Sequence, residues 1–379
     1  MPQTYDVILA GLGAMGSAAA FHLAQRGRRV LGLDRFAPPH CFGSSHGQTR
    51  IIREAYFEHP SYVPLVQRAY ELWEQLAGAS SAELFRPTGG LMIGRPEGVV
   101  FLGAKRSAET HLLRHEILTA PEIRRRFPAL RPEDDMLAVL EPRAGILFPE
   151  RCIAAHLSLA TRQGANLRFE EPVVRWEPVA DAVQVVTTKA TYRAAHLILT
   201  AGSWIRELAP ELSLPFTVER QVLFWFLPKN SPTLFYPERC PIHLWQIDDR
   251  KFFYGFPDLG EGVKIASHHD GEFTAPDLVR REVAPEEVDA MRKIVRRFLP
   301  DADGPLHSAV VCLYTNTPDG HFWIDWHPLH RQVLLVSPCS GHGFKFSSAI
   351  GEAACDLVLQ GRCRFDLSLF RHRKFCKAS

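Results

Sequence analysis

The sequence predicts a two-domain α/β fold of the mixed α+β kind, in which one domain has a parallel sheet and the other an antiparallel sheet. At the N-terminus a strand, a glycine-rich turn, a helix and a second strand follow one another. Parallel-type strands return near the C-terminus, and aromatic-rich strands that look antiparallel lie between them. The two domains are therefore expected to be interleaved along the chain.

The first elements predict a βαβ unit with strands over 5–10 and 29–33 and an alanine-rich helix over 17–24. Its turn, GLGAMG, fits GxGxxG: Gly11 permits a tight turn, Gly13 lets a pyrophosphate approach the backbone, and Gly16 lets helix and strand pack closely. Asp34 follows the second strand, where a carboxylate accepts hydrogen bonds from a ribose. These features predict a Rossmann-type dinucleotide site, and they fit FAD and NAD equally well.

Later elements are predicted from periodicity. Apolar residues on one helical face predict a helix over 60–76, and an acidic first turn with an apolar stripe predicts another that begins at about Pro285. The segment 197–204, LILTAGSW, is either a second segment closing over the dinucleotide or an ordinary buried strand and turn. The predicted strands are 183–187, 197–200, 222–227, 252–256, 263–266 and 333–336.

The composition excludes several classes of function. The 44 Lys and Arg against 42 Asp and Glu give a formal net charge of +2, too small a field to favour nucleic acid or an anionic membrane. The first residues lack the pattern of a secretory signal or a membrane span, so a cytoplasmic protein is expected. The eight cysteines show neither a CxxC pair nor zinc-like spacing, which favours reduced thiols.

The run GSSHGQTRIIR at 43–53 carries two arginines whose purpose the run alone does not decide. Arg50 and Arg53 would share one face if the segment were helical, and such pairs are usually solvated. They also suit phosphate binding, or recognition of the carboxylate of a small substrate.

Several segments together resemble the monomeric sarcosine oxidase and N-methyltryptophan oxidase family of flavoproteins, within the D-amino-acid-oxidase-like superfamily. They are GLGAMG, SSHGQTRIIR, YGFP, GVKIASHH, SAVVCLYTNTPDGHFWID at 308–325 and SGHGFKFSSAIGE at 340–352. The likeness runs in order from Tyr5 to about Leu359. It implies that the dinucleotide is FAD.

The resemblance also implies the FAD contacts. Cys312, in CLYT, matches the cysteine that carries the flavin through a thioether. Arg50 matches an arginine lying against the flavin ring, and His46 matches a residue that supports the cofactor. The other positions expected to contact FAD are Gly11, Gly13, Ala14, Met15, Gly16, Asp34, Arg35, Ser44, Gly341, His342, Gly343 and Lys345.

On the substrate side, the resemblance implies that Arg53 and Lys345 bind the carboxylate, which suits a guanidinium fork plus a point charge. Lys264 matches a lysine that promotes the reaction with oxygen as a fixed charge. The catalytic residues would be Arg50, Tyr254, Lys264 and His268, with Tyr254, His268, Tyr314 and Thr315 lining the cavity.

The implied activity is oxidation of an N-methyl amino acid, such as sarcosine or N-methyltryptophan, by molecular oxygen, giving the amino acid, formaldehyde and hydrogen peroxide. Oxidation of pipecolate-like or fructosyl amino acids, a dehydrogenase with another electron acceptor, and a non-catalytic flavin-binding protein are the alternatives. A monomer is expected, with no nucleic-acid or membrane partner. The run His268, His269 and Asp270 suggests a metal site, but adjacent residues rarely converge on one ion, so none is expected.

Two features of the sequence leave the identity of the substrate side chain undecided. SPCSGHG at 337–343 has Pro338 and Cys339 where the family has a small glycine-containing turn, which leaves the cavity shape open. Aromatic residues either line a pocket for a large group or belong to the core, namely Phe224, Trp225, Phe226 and Trp245.

The expected domain boundaries follow from the alternation of strand types and from the resemblance. The FAD-binding domain is expected at 1–83, 141–217 and 304–379, and the substrate domain at 84–140 and 218–303.

Overall fold

Two large β-sheets and one small sheet organise the computed structural model, which describes residues 4–371. Residues 1–3 and 372–379, with Cys376 and the outer ends of the expected FAD-binding domain, lie outside the described residues. The helices are α1 (Ala14–Gln25), α2 (Val63–Ser80), α3 (Val99–Thr110), α4 (Ala120–Arg126), α5 (Pro149–Arg162), α6 (Ile205–Leu208), α7 (Pro285–Phe298) and α8 (Ser347–Gln360).

The strands fall into three groups along the chain. The first group is β1 (Thr4–Ala10), β2 (Val30–Leu33), β3 (Arg50–Ile52), β4 (Phe85–Pro87), β5 (Gly90–Gly94), β6 (Glu116–Thr119), β7 (Leu137–Glu141) and β8 (Gly145–Leu147). The second is β9 (Asn166–Arg168), β10 (Val173–Val179), β11 (Ala182–Thr187), β12 (Thr191–Leu199) and β13 (Thr217–Phe226). The third is β14 (Ile242–Gln246), β15 (Phe252–Phe256), β16 (Val263–His268), β17 (Glu272–Thr274), β18 (Leu306–Asn316), β19 (Trp323–Trp326) and β20 (Val333–Ser337).

The first large sheet contains the predicted βαβ unit. Its parallel strands run in the order β9, β2, β1, β12, β20, while β19 is antiparallel to β20, and β10 and β11 form an antiparallel extension beside β12. Side chains alternate along β1, so Val7 and Leu9 enter the core under α1, α2, α5 and α8, whereas Ile8 and Ala10 enter the core on the opposite face. A parallel sheet buried on both faces results, as the continuous apolar run predicts.

The second large sheet has nine strands, with β18 at one edge beside β13 and β6 at the other. Its pairs are antiparallel except that β5 and β14 run parallel. Phe224, Phe226 and Trp245 pack in the core between this sheet and α7, and Trp225 lies in a smaller cluster. These four aromatic residues are therefore core residues and do not line the cavity described below.

Most predicted elements appear with shifted ends. The helix expected over 60–76 begins at Val63, after a single turn of 3-10 helix over Pro60–Tyr62, and continues to Ser80. Proline is tolerated in the first turn of a helix because its missing N–H has no intrahelical partner there. The residues 50–52 form strand β3, which pairs with β8, so the interpretation of Arg50 and Arg53 as a helical face is wrong.

The strand carrying Cys312 lies with the second sheet. β18 falls within 304–379, the range expected to belong to the FAD-binding domain, but it pairs with β13 along its whole length. In the described range no helix is both long and apolar enough to cross a membrane. The seven cysteines within residues 4–371 are all free thiols.

Candidate active site

A cavity of about 540 Å³ is walled by residues of both large sheets. From the first sheet it takes the carboxyl ends of β1, β2, β12 and β20, the edge at which open parallel sheets bind ligands. From the second sheet it takes residues of β14, β15, β16 and β18. Strand β3 and the turn after β20 complete the wall, so segments distant in sequence meet at one site.

The glycine turn after β1 has the geometry of a phosphate cradle. Gly11 has φ +100°, and a Cβ there would lie 2.6 Å from the carbonyl oxygen of Thr200. A Cβ on Gly16 would lie 1.8 Å from the carbonyl oxygen of Gly11, so this glycine allows α1 to approach β1. By contrast, the nearest atom to a Cβ on Gly13 is 3.9 Å away, and Gly13, Ala14 and Met15 line the cavity. The start of α1 therefore faces open space that a pyrophosphate fits.

Asp34, which follows β2, is hydrogen-bonded to the backbone of the glycine turn. Its two carboxylate oxygens accept hydrogen bonds from the backbone N–H of Leu12 at 2.6 Å and of Phe36 at 2.8 Å. Burial raises the pKa of Asp34 to about 6. Arg35 also lines the cavity, and its guanidinium pairs with Asp277 at 3.0 Å. Asp34 thus stands where a ribose hydroxyl can bond to it.

Arg50 contacts two other predicted cofactor residues, Ser44 and Cys312. Its guanidinium donates to the carbonyl oxygens of Ser44 at 2.7 Å and Thr49 at 2.8 Å, and Nη2 lies 3.4 Å from the Sγ atom of Cys312. Arg50 and Ser44 line the cavity, whereas Cys312 is buried just behind this wall, next to Leu313 and Tyr314, which line it. The guanidinium is therefore fixed between the cavity and the sulfur.

Lys264 and His46 lie behind the wall and are not among the described residues that line the cavity. Lys264 donates to the carbonyl oxygens of Gly47 at 2.7 Å and Thr49 at 2.9 Å and to the Thr49 hydroxyl at 3.0 Å. Burial, with Arg50 nearby, lowers the pKa of Lys264 well below its usual value. His46 is buried, and its Nε2 has no hydrogen-bond partner within the described range.

Arg53 and Lys345 both line the cavity and both contact the ring of Tyr56. Arg53 makes two hydrogen bonds to the carboxylate of Glu58, at 2.9 and 2.8 Å, and its guanidinium lies 4.3 Å from the ring centre of Tyr56. Lys345 donates to the carbonyl oxygen of His342 at 2.8 Å. Burial, followed by the charge of Arg53, lowers the pKa of Lys345 to about 7. A buried cation pair with one carboxylate is an anion-binding arrangement.

His268, Tyr254 and Tyr314 form the adjoining wall. The Nδ1 atom of His268 lies 3.3 Å from the hydroxyl oxygen of Tyr314, and the ring centres of His268 and Tyr254 are 6.4 Å apart. Burial lowers the pKa of His268 well below its usual value, and neighbouring cations lower it further. His268 is therefore a neutral imidazole at neutral pH. The ring centre of its neighbour His269 lies 4.1 Å from that of His268, and the His269 Nδ1 atom lies 3.5 Å from the carboxylate of Glu219.

The turn after β20 also contributes residues to the cavity wall. His342 donates from Nε2 to the carbonyl oxygen of Gly320 at 2.9 Å, so its Nδ1 accepts from the hydroxyl of Tyr56. Gly343 approaches Pro338 so closely that a Cβ would lie 2.0 Å from the proline carbonyl oxygen. Pro338, Cys339, Gly341, His342 and Gly343 all line the cavity. The residues that depart from the family pattern are thus part of the wall.

Three acidic residues at this site went unnoticed in the sequence. Glu58 pairs with Arg53, Glu150 accepts from the backbone N–H of Gly47 at 2.7 Å, and Glu141 accepts from the N–H of Ala55 at 2.7 Å. Glu58 is the only one of the three that lies close in sequence to its partner, because it follows Arg53 by five positions. The partners of the other two come from distant segments.

Known proteins resemble the chain along nearly its whole length. Residues 6–357 match the family described as FAD dependent oxidoreductase. Monomeric sarcosine oxidase of Streptomyces avermitilis is 47% identical over 383 residues and covers 100% of both chains. N-methyl-L-tryptophan oxidase of Yersinia pseudotuberculosis is 35% identical over 375 residues, 98% of this chain and 99% of that one. The solved structure of NikD, an unusual amino acid oxidase, superposes with a TM-score of 0.83 at 25% identity over 97% of each chain.

Proposed function

The chain belongs to the FAD-dependent oxidoreductase family, and from this premise we propose that it is an oxidase of N-methyl amino acids such as sarcosine or N-methyltryptophan. The names of its relatives support this substrate class. One oxygen molecule is then reduced and one water molecule hydrolyses the imine, and the products are the demethylated amino acid, formaldehyde and hydrogen peroxide. The observation that carries the proposal is the pair of buried cations, Arg53 and Lys345, in the wall of a cavity that also fits a dinucleotide.

The residues at the glycine turn fit FAD. The open space beside Gly13 and the start of α1 suit the pyrophosphate, and the carboxylate of Asp34 suits the ribose. FAD bound at these residues would supply the chemistry for a two-electron oxidation at the carbon next to the substrate nitrogen, with oxygen as the final electron acceptor. The chain itself has to bind the substrate, orient it and place charge around it.

Glu58 supports the assignment of Arg53 as the substrate anchor. The Nη2 atom of the guanidinium already donates to both carboxylate oxygens of Glu58, so this side of Arg53 can bind a carboxylate. We propose that the substrate carboxylate replaces that of Glu58 on Arg53 and also contacts Lys345. Two buried cations then face two carboxylates, so the charge of the complex is balanced.

His268 is positioned to contact the amine of a substrate held by Arg53. Its imidazole is neutral, and Nδ1 is engaged with the hydroxyl of Tyr314, so Nε2 is the nitrogen available to the amine. Tyr254 and Tyr314 line the same cavity. We propose that this set orients the reacting C–N bond.

Lys264 supports a role in the reaction with oxygen. Its amino nitrogen donates to three oxygen atoms of Gly47 and Thr49, and these acceptors favour the protonated form against the burial that lowers its pKa. We propose that Lys264 acts as a fixed positive charge behind the wall. Such a charge stabilises negative charge developing on oxygen without a proton transfer.

Cys312 supports covalent attachment of the flavin. The sulfur is buried immediately behind the wall, with the guanidinium of Arg50 at 3.4 Å.

The visible spectrum during anaerobic addition of sarcosine, N-methyltryptophan, pipecolate and a fructosyl amino acid tests the proposed function. We expect sarcosine or N-methyltryptophan to bleach the flavin band. Bleaching by pipecolate alone, or by the fructosyl amino acid alone, would mean that the substrate belongs to that class and not to the N-methyl amino acids. A flavin band that none of the four changes would contradict the proposal.

Three further expectations belong to this proposal. The word monomeric in the name of the 47% identical relative supports a monomer, which size-exclusion chromatography tests. A cytoplasmic location stays a prediction, to be checked by cell fractionation. The domain boundaries also stay a proposal; the two large sheets support two interleaved domains, and the pairing of β18 with β13 bears on the boundary at 304.

A further inference from the structure

The loop at 47–49, which holds Lys264, has an unusual backbone. Gly47 and Gln48 have φ of +93° and +68°, and the N–H of Thr49 donates to the carbonyl oxygen of Gly47 at 2.8 Å. A hydrogen bond between residues two apart around a positive φ is a γ-turn of the rare, strained kind. A non-glycine residue persists in such a conformation only where neighbouring groups hold it.

Glu150 is the group that holds this loop. It lies in the first turn of α5, and its Oε1 atom accepts from the N–H of Gly47 at 2.7 Å and from the N–H of Gln48 at 3.0 Å. Successive N–H groups in left-handed conformation form a concave anion site, and the carboxylate occupies that site. The N–H groups of Gly47 and Gln48 point towards Glu150, and the carbonyl oxygens of Gly47 and Thr49 accept hydrogen bonds from Lys264.

The two cations near the wall depend on this loop to different degrees. All three hydrogen bonds of Lys264 go to residues of the loop. Arg50 donates only one hydrogen bond to the loop, to the carbonyl oxygen of Thr49, and has Ser44 and Cys312 as further partners. Displacing the loop should therefore displace Lys264 much more than Arg50.

We propose that Glu150 is a positioning residue, which fixes the ammonium of Lys264 behind the cavity wall by holding the N–H groups of Gly47 and Gln48. The inference rests on the proposed function for its consequence, because the reaction with oxygen is the step in which Lys264 is expected to act. Glu150 itself does not line the cavity within the described part of the chain.

The test compares Glu150→Ala, Glu150→Gln, Lys264→Met and the control Glu261→Gln. Glu261 contacts the side chain of Gln48 on the same loop but none of its backbone N–H groups, which makes it a matched control. Stopped-flow measurement of flavin reduction by substrate and of flavin reoxidation by oxygen separates the two half-reactions. Hydrogen exchange of the backbone amides at 46–50 gives a readout that is independent of turnover.

We expect Glu150→Ala to slow reoxidation by about ten- to hundredfold while flavin reduction changes by less than about threefold. The amides at 46–50 should exchange faster. Glu150→Gln should recover much of the lost rate, because the amide oxygen accepts the same two hydrogen bonds. Glu261→Gln should match the parent protein in both measurements.

The outcomes separate this inference from the proposed function. If Lys264→Met slows reoxidation and Glu150→Ala does not, the positioning role is wrong. If Lys264→Met leaves reoxidation unchanged, the role proposed for Lys264 is wrong. The hydrogen-exchange measurement then tests the positioning role of Glu150 by itself. Unchanged protection of the amides at 46–50 in Glu150→Ala would contradict that role. Should Glu150→Ala fail to fold, reoxidation by Glu150→Gln at the rate of Lys264→Met would also contradict the inference, because Gln keeps the hydrogen bonds.

Discussion

Lys345 titrates close to neutral pH, since burial and then Arg53 lower its pKa to about 7. Its ammonium attracts a carboxylate only when protonated, so the affinity for an anion is highest below this pKa and falls as pH rises through it. We expect the dissociation constant of a non-oxidisable carboxylate such as acetate to increase roughly tenfold between about pH 6 and about pH 9.

Isothermal titration across this pH range measures the effect. Lys345→Arg supplies the control, because arginine stays charged throughout and its dissociation constant should be nearly independent of pH. A parent protein whose affinity is equally flat would contradict the assignment of Lys345 to the substrate carboxylate.

Glu58 competes with the substrate for Arg53. Glu58→Gln removes a negative charge that faces the anion site while keeping an oxygen that still accepts a bond from the guanidinium. We expect carboxylate ligands to bind more tightly, by roughly three- to tenfold, because the ligand no longer displaces a charged partner. Glu71→Gln, which removes a charge paired with Arg68 on α2, should leave ligand affinity unchanged. Weaker binding in Glu58→Gln would mean that Glu58 mainly orients Arg53.

The sequence pointed to the positively charged residues of the site but not to Glu58 and Glu150, the carboxylates that contact Arg53 and the loop of Lys264. Asp34 was predictable because its place after β2 follows from the local βαβ pattern. Glu150 was not, because its two partners lie in a loop more than a hundred positions earlier. The positions of Arg53, Lys345 and Cys312 came from the resemblance, since no local pattern brings β3, β18 and the turn after β20 together.

At the scale of the element, the turn between β20 and α8 needs glycine at Gly341 as well as at Gly343. Gly341 has φ +76°, and a Cβ would lie 2.4 Å from the ring of Tyr314 and 2.9 Å from His268. Gly361, after α8, has φ +70° with no atom within 4 Å of a Cβ. Gly361→Ala should therefore cost only backbone strain, about 1–2 kcal/mol of unfolding free energy.

Gly341→Ala should cost more stability than Gly361→Ala and should also reduce turnover, because the new methyl group displaces Tyr314 and His268. Chemical denaturation and steady-state kinetics on both variants measure the difference. Equal stability losses with unchanged turnover in both variants would show that the contacts around Gly341 are not needed for the site.

Elements with a clear period were predictable, and those buried on all sides were not. The apolar stripe of α7 gave its start correctly at Pro285. In contrast α8, SSAIGEAACDLVLQ, has no polar face because it is packed against α1, with a Cβ on Gly351 only 2.6 Å from Ala18. A helix surrounded by protein lacks the amphipathic pattern from which helices are recognised.

At the scale of the whole molecule, the proposed attachment at Cys312 changes how cofactor and fold are coupled. In the parent protein we expect the flavin absorbance to stay with acid-precipitated protein. In Cys312→Ser the flavin should appear in the supernatant, and the melting temperature should rise with added FAD, since an exchangeable ligand stabilises by mass action. Cys152→Ser, at a buried thiol in α5, is the control and should retain its flavin. Free flavin released from the parent protein would contradict the attachment.

The pairing of β18 with β13 gives this attachment a mechanical consequence. Cys312 belongs to the second sheet, whereas the glycine turn and Asp34 belong to the first. A cofactor bonded at one end to Cys312 and seated at the other on the glycine turn would span the two sheets as a cross-brace. Separating the two sheets would then require breaking the contacts between the cofactor and the glycine turn. The cofactor would therefore resist a mechanical force that otherwise only the polypeptide would resist.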